Sequence, residues 1–182
     1  MRQVADADRI RGFMRALGAE SDADARVYFT GGATAVLHGW RASTIDVDIR
    51  IEPERDAIFR AIPQLKERLE LNVELASPMD FIPVRADWPD RSPYIAREGR
   101  VSFHHFDLYA QALAKVERGH DQDLRDVREM LGRGLIDAAQ ARRYFETIEP
   151  DLYRYPAIDP ASFRRAIETA FRIEESSDPG SG

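Results

Sequence analysis

Two aspartates separated by a single residue, Asp46 and Asp48, are the strongest chemical signal in this sequence. They lie in the segment 44–51, where apolar and polar side chains alternate as they do in a strand with one buried face. Residues i and i+2 of a strand project from the same face, with backbones roughly 7 Å apart. The two carboxylates can therefore converge on one or two divalent cations, and Mg²⁺ (or Mn²⁺) suits such hard oxygen ligands.

A diglycine, Gly31-Gly32, precedes the aspartate pair and follows a short apolar run that favours a strand. Glycine at a strand–helix corner lets the backbone approach phosphate closely, and the helix that follows offers free N–H groups. Ser43 and Thr44 can add hydroxyl contacts to a triphosphate. A turn explains an isolated diglycine, and a solvated strand face explains an isolated aspartate pair. Their conjunction in this order favours a site that binds metal and nucleotide.

The third carboxylate of such a site is expected from a neighbouring strand. Residues 71–75 alternate, and Glu74 lies on their polar face. Glu74 is therefore predicted to complete the catalytic and metal-binding set with Asp46 and Asp48. Asp80 is the alternative.

The elements that position these residues are predicted from hydrophobic periodicity, caps and turn residues. Gly18 is expected to end the first helix, and Pro63 is expected to bend or interrupt the third. The predicted elements, in chain order, are a helix at 9–17, a strand at 27–30, a helix at 33–38, a strand at 44–51, a helix at 54–69, a strand at 71–75, a long loop at 77–92, a strand at 101–106, and helices at 107–118, 121–131, 137–148 and 161–174.

This order of elements is an α+β pattern. It divides the chain into an α/β core at residues 1–106, a C-terminal helical region at 107–175 and a flexible tail of small residues at 176–182.

Composition narrows the class of protein further. A hydrophobic content of 43% in 182 residues suffices for one packed domain, and the absence of cysteine excludes disulfides, thiolate metal sites and a cysteine nucleophile. No apolar run approaches the roughly 20 residues of a membrane helix, and the first ten residues lack the apolar core of a signal peptide. These features predict a cytoplasmic protein without a membrane partner. The net charge of −6 argues against indiscriminate binding of nucleic acid.

The glycine corner and the aspartate strand together resemble a known signature. Residues 31–35, Gly-Gly-Ala-Thr-Ala, followed by residues 41–48, Arg-Ala-Ser-Thr-Ile-Asp-Val-Asp, are similar to the motif of DNA polymerase beta-type nucleotidyltransferases. The similarity is closest to the minimal bacterial and archaeal branch, which includes the toxin AbiEii of abortive-infection toxin–antitoxin systems. Residues 109–127 resemble the later lysine and aspartate motifs of that group, through Lys115, Arg118, Asp123 and Asp126.

The resemblance implies a nucleotidyltransferase-like mixed β-sheet flanked by helices, with a C-terminal helical segment. It implies that Asp46 and Asp48 bind metal, that Lys115 contacts nucleotide phosphate, and that Asp123 orients this lysine or the acceptor. The predicted nucleotide-binding set is Gly31, Gly32, Arg41, Ser43, Thr44, Lys115 and Asp123.

The leading functional hypothesis is metal-dependent transfer of a nucleotide from a nucleoside triphosphate to a hydroxyl acceptor. The candidate acceptors are a tRNA, a protein side chain and a small molecule. The toxin resemblance favours the first two and implies a cognate antitoxin as a partner. The alternative is a non-catalytic scaffold that binds nucleotide or a partner, because Glu74 stands where the family usually has an aspartate. A third interpretation is a structural α+β domain whose aspartates are only solvated.

Overall fold

The computed structural model describes residues 3–173, which form seven α-helices and one five-stranded sheet. The predicted tail at 176–182 lies outside the described residues. The strands are β1 (Ala25–Thr30), β2 (Asp46–Glu52), β3 (Asn72–Leu75), β4 (Tyr94–Glu98) and β5 (Val101–His105). The helices are α1 (Ala7–Glu20), α2 (Gly32–His38), α3 (Asp56–Arg68), α4 (Leu108–Arg118), α5 (Asp121–Gly132), α6 (Ala138–Ile148) and α7 (Pro160–Ala170), with short 3-10 helices at Pro78–Asp80 and Glu149–Arg154.

The sheet is mixed, with the strand order β3-β2-β1-β5-β4. Strand β1 lies at its centre, antiparallel to β2 and parallel to β5, while β3 runs parallel to β2 and β4 antiparallel to β5. The predicted α+β fold, a mixed sheet flanked by helices, is confirmed. Within residues 3–173, no helix combines the length and the apolar character that a membrane crossing requires.

The two faces of the sheet carry separate hydrophobic clusters. Val27 and Phe29 of β1 belong to the cluster beneath α1 and α3, whereas Tyr28 belongs to the cluster formed by α4 to α7. Because neighbouring residues of a strand point to opposite faces, α4 to α7 cover the face that carries Tyr28. Asp46, Asp48 and Arg50 share that face, since Arg50 is the register partner of Tyr28. The predicted aspartates therefore face the C-terminal helices.

Caps at the ends of α4 agree with the sequence analysis. The carboxylate of Asp107 accepts a hydrogen bond from the Tyr109 backbone N–H at 3.0 Å, so it satisfies one of the free donors at the helix start. Gly119 ends the helix with φ of 69°, a left-handed conformation that glycine adopts without steric cost. This helix carries Lys115, and the caps at both of its ends fix the position of that side chain relative to the sheet.

Two helix predictions are wrong. Helix α1 continues past Gly18 to Glu20, and a side chain at position 18 would collide with the backbone of Glu98 on β4, so the glycine permits close packing rather than ending the helix. Helix α3 runs uninterrupted through Pro63. Its buried residues Ile58, Ile62 and Leu65 form one apolar face, and packing of that face outweighs the local cost of proline.

Two strand predictions also need correction. The alternation in residues 44–51 predicts that Ile45 lies on the buried face, but β2 begins at Asp46 and Ile45 is 72% exposed. Strand β4 was missed because it is an edge strand of partly exposed residues, without the apolar alternation that marks a half-buried strand.

Candidate active site

The three predicted metal ligands come together on the two adjacent strands β2 and β3. Parallel pairing places Asp48 opposite Glu74 and places Asp46 opposite Asn72. Asp48 is also the register partner of Thr30 on the central strand β1. Three carboxylates therefore occupy one end of one sheet face, as the alternation in the sequence predicts.

Asp48 is the carboxylate whose ionisation is most disturbed at this edge. Burial, followed by the negative charges of Glu74 and Asp46, raises the pKa of Asp48 to about 6, although Arg118 and Lys115 act in the opposite direction. Charges that repel one another in a partly desolvated site are stabilised by a divalent cation, which supplies the missing positive charge.

The donor set suits Mg²⁺ or Mn²⁺ only as an open site. Among residues 3–173, no three acidic or histidine side chains form a preassembled metal cluster. The Asn72 amide lies between two of the acids and donates to Asp46 Oδ1 and, at 3.0 Å, to Glu74 Oε1. Mg²⁺ commonly uses one or two carboxylates and completes its shell with water and substrate phosphate. Asp46, Asp48 and Glu74 fit that mode of binding.

The diglycine corner gives Asp48 and Thr44 the space they occupy. Gly31 has φ of 62°, and a Cβ on it would lie 3.2 Å from Asp48 Oδ2. A Cβ on Gly32 would collide with the Thr44 side chain. The Gly31 backbone N–H donates to Gln111 Oε1 at 3.0 Å, and α2 has only seven residues. The two glycines therefore serve mainly to leave room for the Asp48 and Thr44 side chains. The Gly31 N–H is already hydrogen-bonded to Gln111.

Lys115 lies buried on α4 and faces α5. Its Nζ donates to Asp126 Oδ2 at 2.8 Å and lies 3.7 Å from Asp123 Oδ1. Asp123 is instead the bidentate acceptor of Arg118, at 2.7 and 2.6 Å. The closer partner of the lysine is therefore Asp126, whereas the resemblance implied Asp123.

Asp126 also accepts hydrogen bonds from the side chains of Trp40, Arg41 and Gln122. Burial would raise the pKa of Asp126, but the hydrogen bond from Arg41 and the charge of Lys115 outweigh it and lower the pKa to about 2. The predicted nucleotide-binding residue Arg41 is thus held by a carboxylate of α5.

An open cleft of about 190 Å³ lies between α4 and the segment that follows β3. Gly31 of the glycine corner, Asp48 of β2, and Lys115 and Arg118 of α4 line it.

Seven of the predicted site residues are not among the residues that line this cleft. They are Gly32, Arg41, Ser43, Thr44, Asp46, Glu74 and Asp123. Asp46 and Glu74 still neighbour Asp48 through the β2–β3 pairing, and Thr44 Oγ1 donates to the Asp46 carbonyl oxygen at 3.1 Å.

Comparison with known proteins then decides the family. The family described as "Nucleotidyltransferase of unknown function (DUF6036)" matches residues 8–157, which is more than half of the chain. The chain belongs to this nucleotidyltransferase family. No curated protein and no solved structure matched it. The match covers the aspartate strand, the glycine corner and the lysine helix, and it does not single out the toxin branch.

Gln111 is a further residue of the site, beyond those predicted from the sequence. Its amide donates to the backbone oxygen of Phe106 at 2.8 Å and to Thr34 Oγ1 at 3.1 Å, while its Oε1 accepts from Gly31. A buried glutamine that satisfies both ends of its amide fixes the corner rigidly. The sequence does contain a signal for this role: Gln111 lies four residues before Lys115, so the two side chains share a helix face.

Lowering the pH from 7 towards 4 is expected to destabilise this nucleotidyltransferase through His105. Burial, then the charges of His38 and His104, lowers the pKa of His105 from 6.5 to about 3. Below pH 6.5 the unfolded chain binds a proton that the folded chain excludes, so stability is lost progressively as the pH falls towards 3. Thermal melts of His105→Gln should depend less on pH than those of the wild type. The exposed His120 supplies the control His120→Gln, which should keep the wild-type slope; equal slopes in all three proteins would contradict the assignment.

Proposed function

We propose that the protein transfers a nucleoside monophosphate from a nucleoside triphosphate to a hydroxyl acceptor. One observation carries the proposal: Asp48, Gly31 and Lys115 line a single cleft in a chain of the nucleotidyltransferase family. The cleft is open to solvent, and it carries an acid, Asp48, at the sheet and two cations, Lys115 and Arg118, on α4.

Asp46, Asp48 and Glu74 would hold Mg²⁺ or Mn²⁺ at the edge of this cleft. The metal, when bound, neutralises charge on the triphosphate and lowers the pKa of the attacking hydroxyl. Lys115 and Arg118 lie on the opposite wall, where they can face the phosphates.

In the proposed reaction, the acceptor oxygen attacks the α-phosphorus and the bond from that phosphorus to the bridging oxygen breaks, so pyrophosphate leaves. The proton of the hydroxyl passes to the Glu74 carboxylate, which is exposed beside Asp48. Lys115 neutralises charge on the departing pyrophosphate. Every atom and charge is thereby accounted for.

The acceptor class that we propose is a tRNA or a protein hydroxyl, with a cognate antitoxin as partner and the cytoplasm as the location. The proposed acceptor, partner and location rest on the resemblance of residues 31–48 to the toxin branch. The exposure of Glu74, which is the register partner of Asp48, supports a bulky acceptor.

A non-catalytic scaffold is the second candidate. It is favoured by the pairing of both α4 cations, since Lys115 binds Asp126 and Arg118 binds Asp123 before any phosphate arrives. A scaffold would bind a triphosphate without consuming it.

The test is label transfer from α-phosphate-labelled triphosphates, with Mg²⁺ or Mn²⁺ and either purified tRNA or a protein fraction. We expect label in one acceptor fraction and release of pyrophosphate. Calorimetry on the same samples separates the candidates: binding without label in any fraction would favour the scaffold, and neither binding nor label would overturn both.

Binding of triphosphate should depend strictly on the divalent cation. The carboxylates around the cleft outnumber the cations, because Lys115 and Arg118 are already paired and Asp48, Glu74 and Glu117 are not neutralised. A bare triphosphate is therefore repelled, and we expect its affinity to fall at least about tenfold in EDTA. Isothermal titration with and without Mg²⁺ measures the ratio. Equal affinity in EDTA would show that acids at the sheet do not face the phosphates.

A further inference from the structure

The cleft has an apolar half that the proposed chemistry does not use. Ala76, Pro78 and Phe81, from the segment after β3, form one wall, and Ala114 of α4 lies across from them. Phe81 is 55% exposed, so one side of its ring is open to a ligand in the cleft. Its ring is free to stack on a flat ligand, and stacking on an aromatic ring is tolerant of the identity of a base.

Ser77, between these apolar residues, has a hydroxyl without a partner. It is only 3% exposed and lines the cleft, and within residues 3–173 Ser77 Oγ and His38 Nε2 are the buried side-chain polar atoms that make no hydrogen bond. In the capping box of the 3-10 helix at Pro78–Asp80 the Ser77 side chain faces the Asp80 backbone N–H, but that N–H donates to the Ser77 carbonyl oxygen at 3.1 Å and the hydroxyl hydrogen has no acceptor. The Asp80 carboxylate accepts from the Ser77 backbone N–H at 2.8 Å. Since buried hydroxyls are normally paired, this one is available to a ligand in the cleft.

Glu117 adds an acceptor to the same cleft. It lies one helical turn after Ala114 and is partly buried. Burial raises the pKa of Glu117 above its usual value. Its carboxylate makes no hydrogen bond or ion pair with another described residue, unlike the Lys115 and Arg118 side chains of the same helix.

We propose that Phe81, Ser77 and Glu117 form a nucleoside subsite that favours bases carrying an exocyclic amino group. The inference rests on the proposed function, which places the triphosphate at Asp48 and Lys115. The base stacks on Phe81, Ser77 Oγ hydrogen-bonds its edge, and Glu117 accepts from the amino group. A carboxylate accepts but does not donate when ionised, so adenine, cytosine and guanine fit the subsite. Uracil has no exocyclic amino group, and its one ring N–H on that edge lies between two carbonyl oxygens whose lone pairs repel the carboxylate.

The preference is tested by competition of ATP, CTP, GTP and UTP against a fluorescent nucleotide, in the presence of Mg²⁺. We expect UTP to bind about tenfold more weakly than the others, which corresponds to one lost hydrogen bond to a charged group. Glu117→Gln should narrow the gap, because an amide both donates and accepts. Equal affinity for all four nucleotides in the wild type would overturn the assignment of Glu117.

The Ser77→Ala variant separates the subsite from a structural role of the hydroxyl. Removing a buried hydroxyl that lacks a partner should leave the melting temperature unchanged or raised, while affinity for ATP falls about tenfold. A lowered melting temperature with unchanged affinity would mean that the hydroxyl serves the turn at Asp80, and it would overturn this part of the proposal.

Phe81→Ala is expected to weaken nucleotide binding at least tenfold, in the range that loss of one stacked base gives. The matched control is Tyr153→Ala, which removes an aromatic side chain that is 78% exposed. Inorganic tripolyphosphate with Mg²⁺ should bind wild type and Phe81→Ala equally, because it lacks a base. If tripolyphosphate binds and Phe81→Ala does not weaken ATP, the subsite is wrong and the proposed function stands. If tripolyphosphate does not bind and no label transfers, the proposed function itself is wrong.

Discussion

Replacing Asp48 by asparagine is expected to lower nucleotide transfer at least about a thousandfold while leaving the fold as stable as the wild type or more stable. Transfer falls because Asp48 lines the cleft, lies beside Gly31 and is the register partner of Glu74, so it is the proposed metal ligand nearest the phosphates. Stability does not fall because burial and the charges of Glu74 and Asp46 already disfavour the ionised carboxylate in the folded chain. Label transfer and thermal melting on the same preparation measure the two effects.

The pH dependence of this variant has a definite sign. The pKa of Asp48 is raised from 3.8 to about 6 on folding, so ionisation of this group weakens the fold above pH 3.8 and does so fully above pH 6. The stability of Asp48→Asn relative to the wild type should therefore rise between pH 4 and pH 6 and stay level above it. After allowance for solvent screening, the gain is up to about 2 kcal/mol in metal-free buffer.

The control for Asp48 is Glu52→Gln, on the same face of the same strand. Glu52 pairs with Arg50 at 2.6 Å, away from the cleft, so this variant should retain wild-type transfer. If Asp48→Asn retained transfer, or lost it only through unfolding, the acids of β2 would have no part in the reaction.

Removing the carboxylate of Asp126 should have the largest effect on stability. In Asp126→Asn, the buried Lys115 ammonium and the Arg41 guanidinium lose the charge that holds them, and breaking one side of a buried ion pair costs about 3–5 kcal/mol. Urea unfolding at pH 7 measures the loss. The pKa of Asp126 is about 2, so the stabilisation is present above the ordinary pKa of an aspartate and disappears only as the pH falls towards 2.

Two further variants sharpen the Asp126 experiment. Asp123→Asn should cost less, because its main partner Arg118 has a side chain that is 59% exposed and can be solvated. The double variant Lys115→Met with Asp126→Leu should recover part of the stability, since it removes the buried ammonium together with its carboxylate and leaves only Arg41 unpaired, but it should not transfer nucleotide. Equal losses for the two single aspartate variants would show that Asp126 is not the centre of the network.

Much of this fold follows from local pattern. The alternation in residues 44–51 predicts a strand and places Asp46 and Asp48 on one face, because the side-chain period of a strand is two. The cap at Asp107 and the glycine at 119 predict the ends of α4, because they satisfy the backbone groups at the ends of a helix. These features depend on residues a few positions apart, so the amino-acid sequence determines them directly.

The remaining features depend on contacts between distant parts of the chain, which only the tertiary structure decides. Register between β2 and β3 sets Glu74 beside Asp48, and packing of α5 against the loop before β2 brings Asp126 to Arg41, 85 residues away. Local periodicity predicts which face of an element is buried, but it does not select the partner of a buried charge. That choice follows from the free energy of pairing charges removed from water, which exists only after the helices have packed on the sheet.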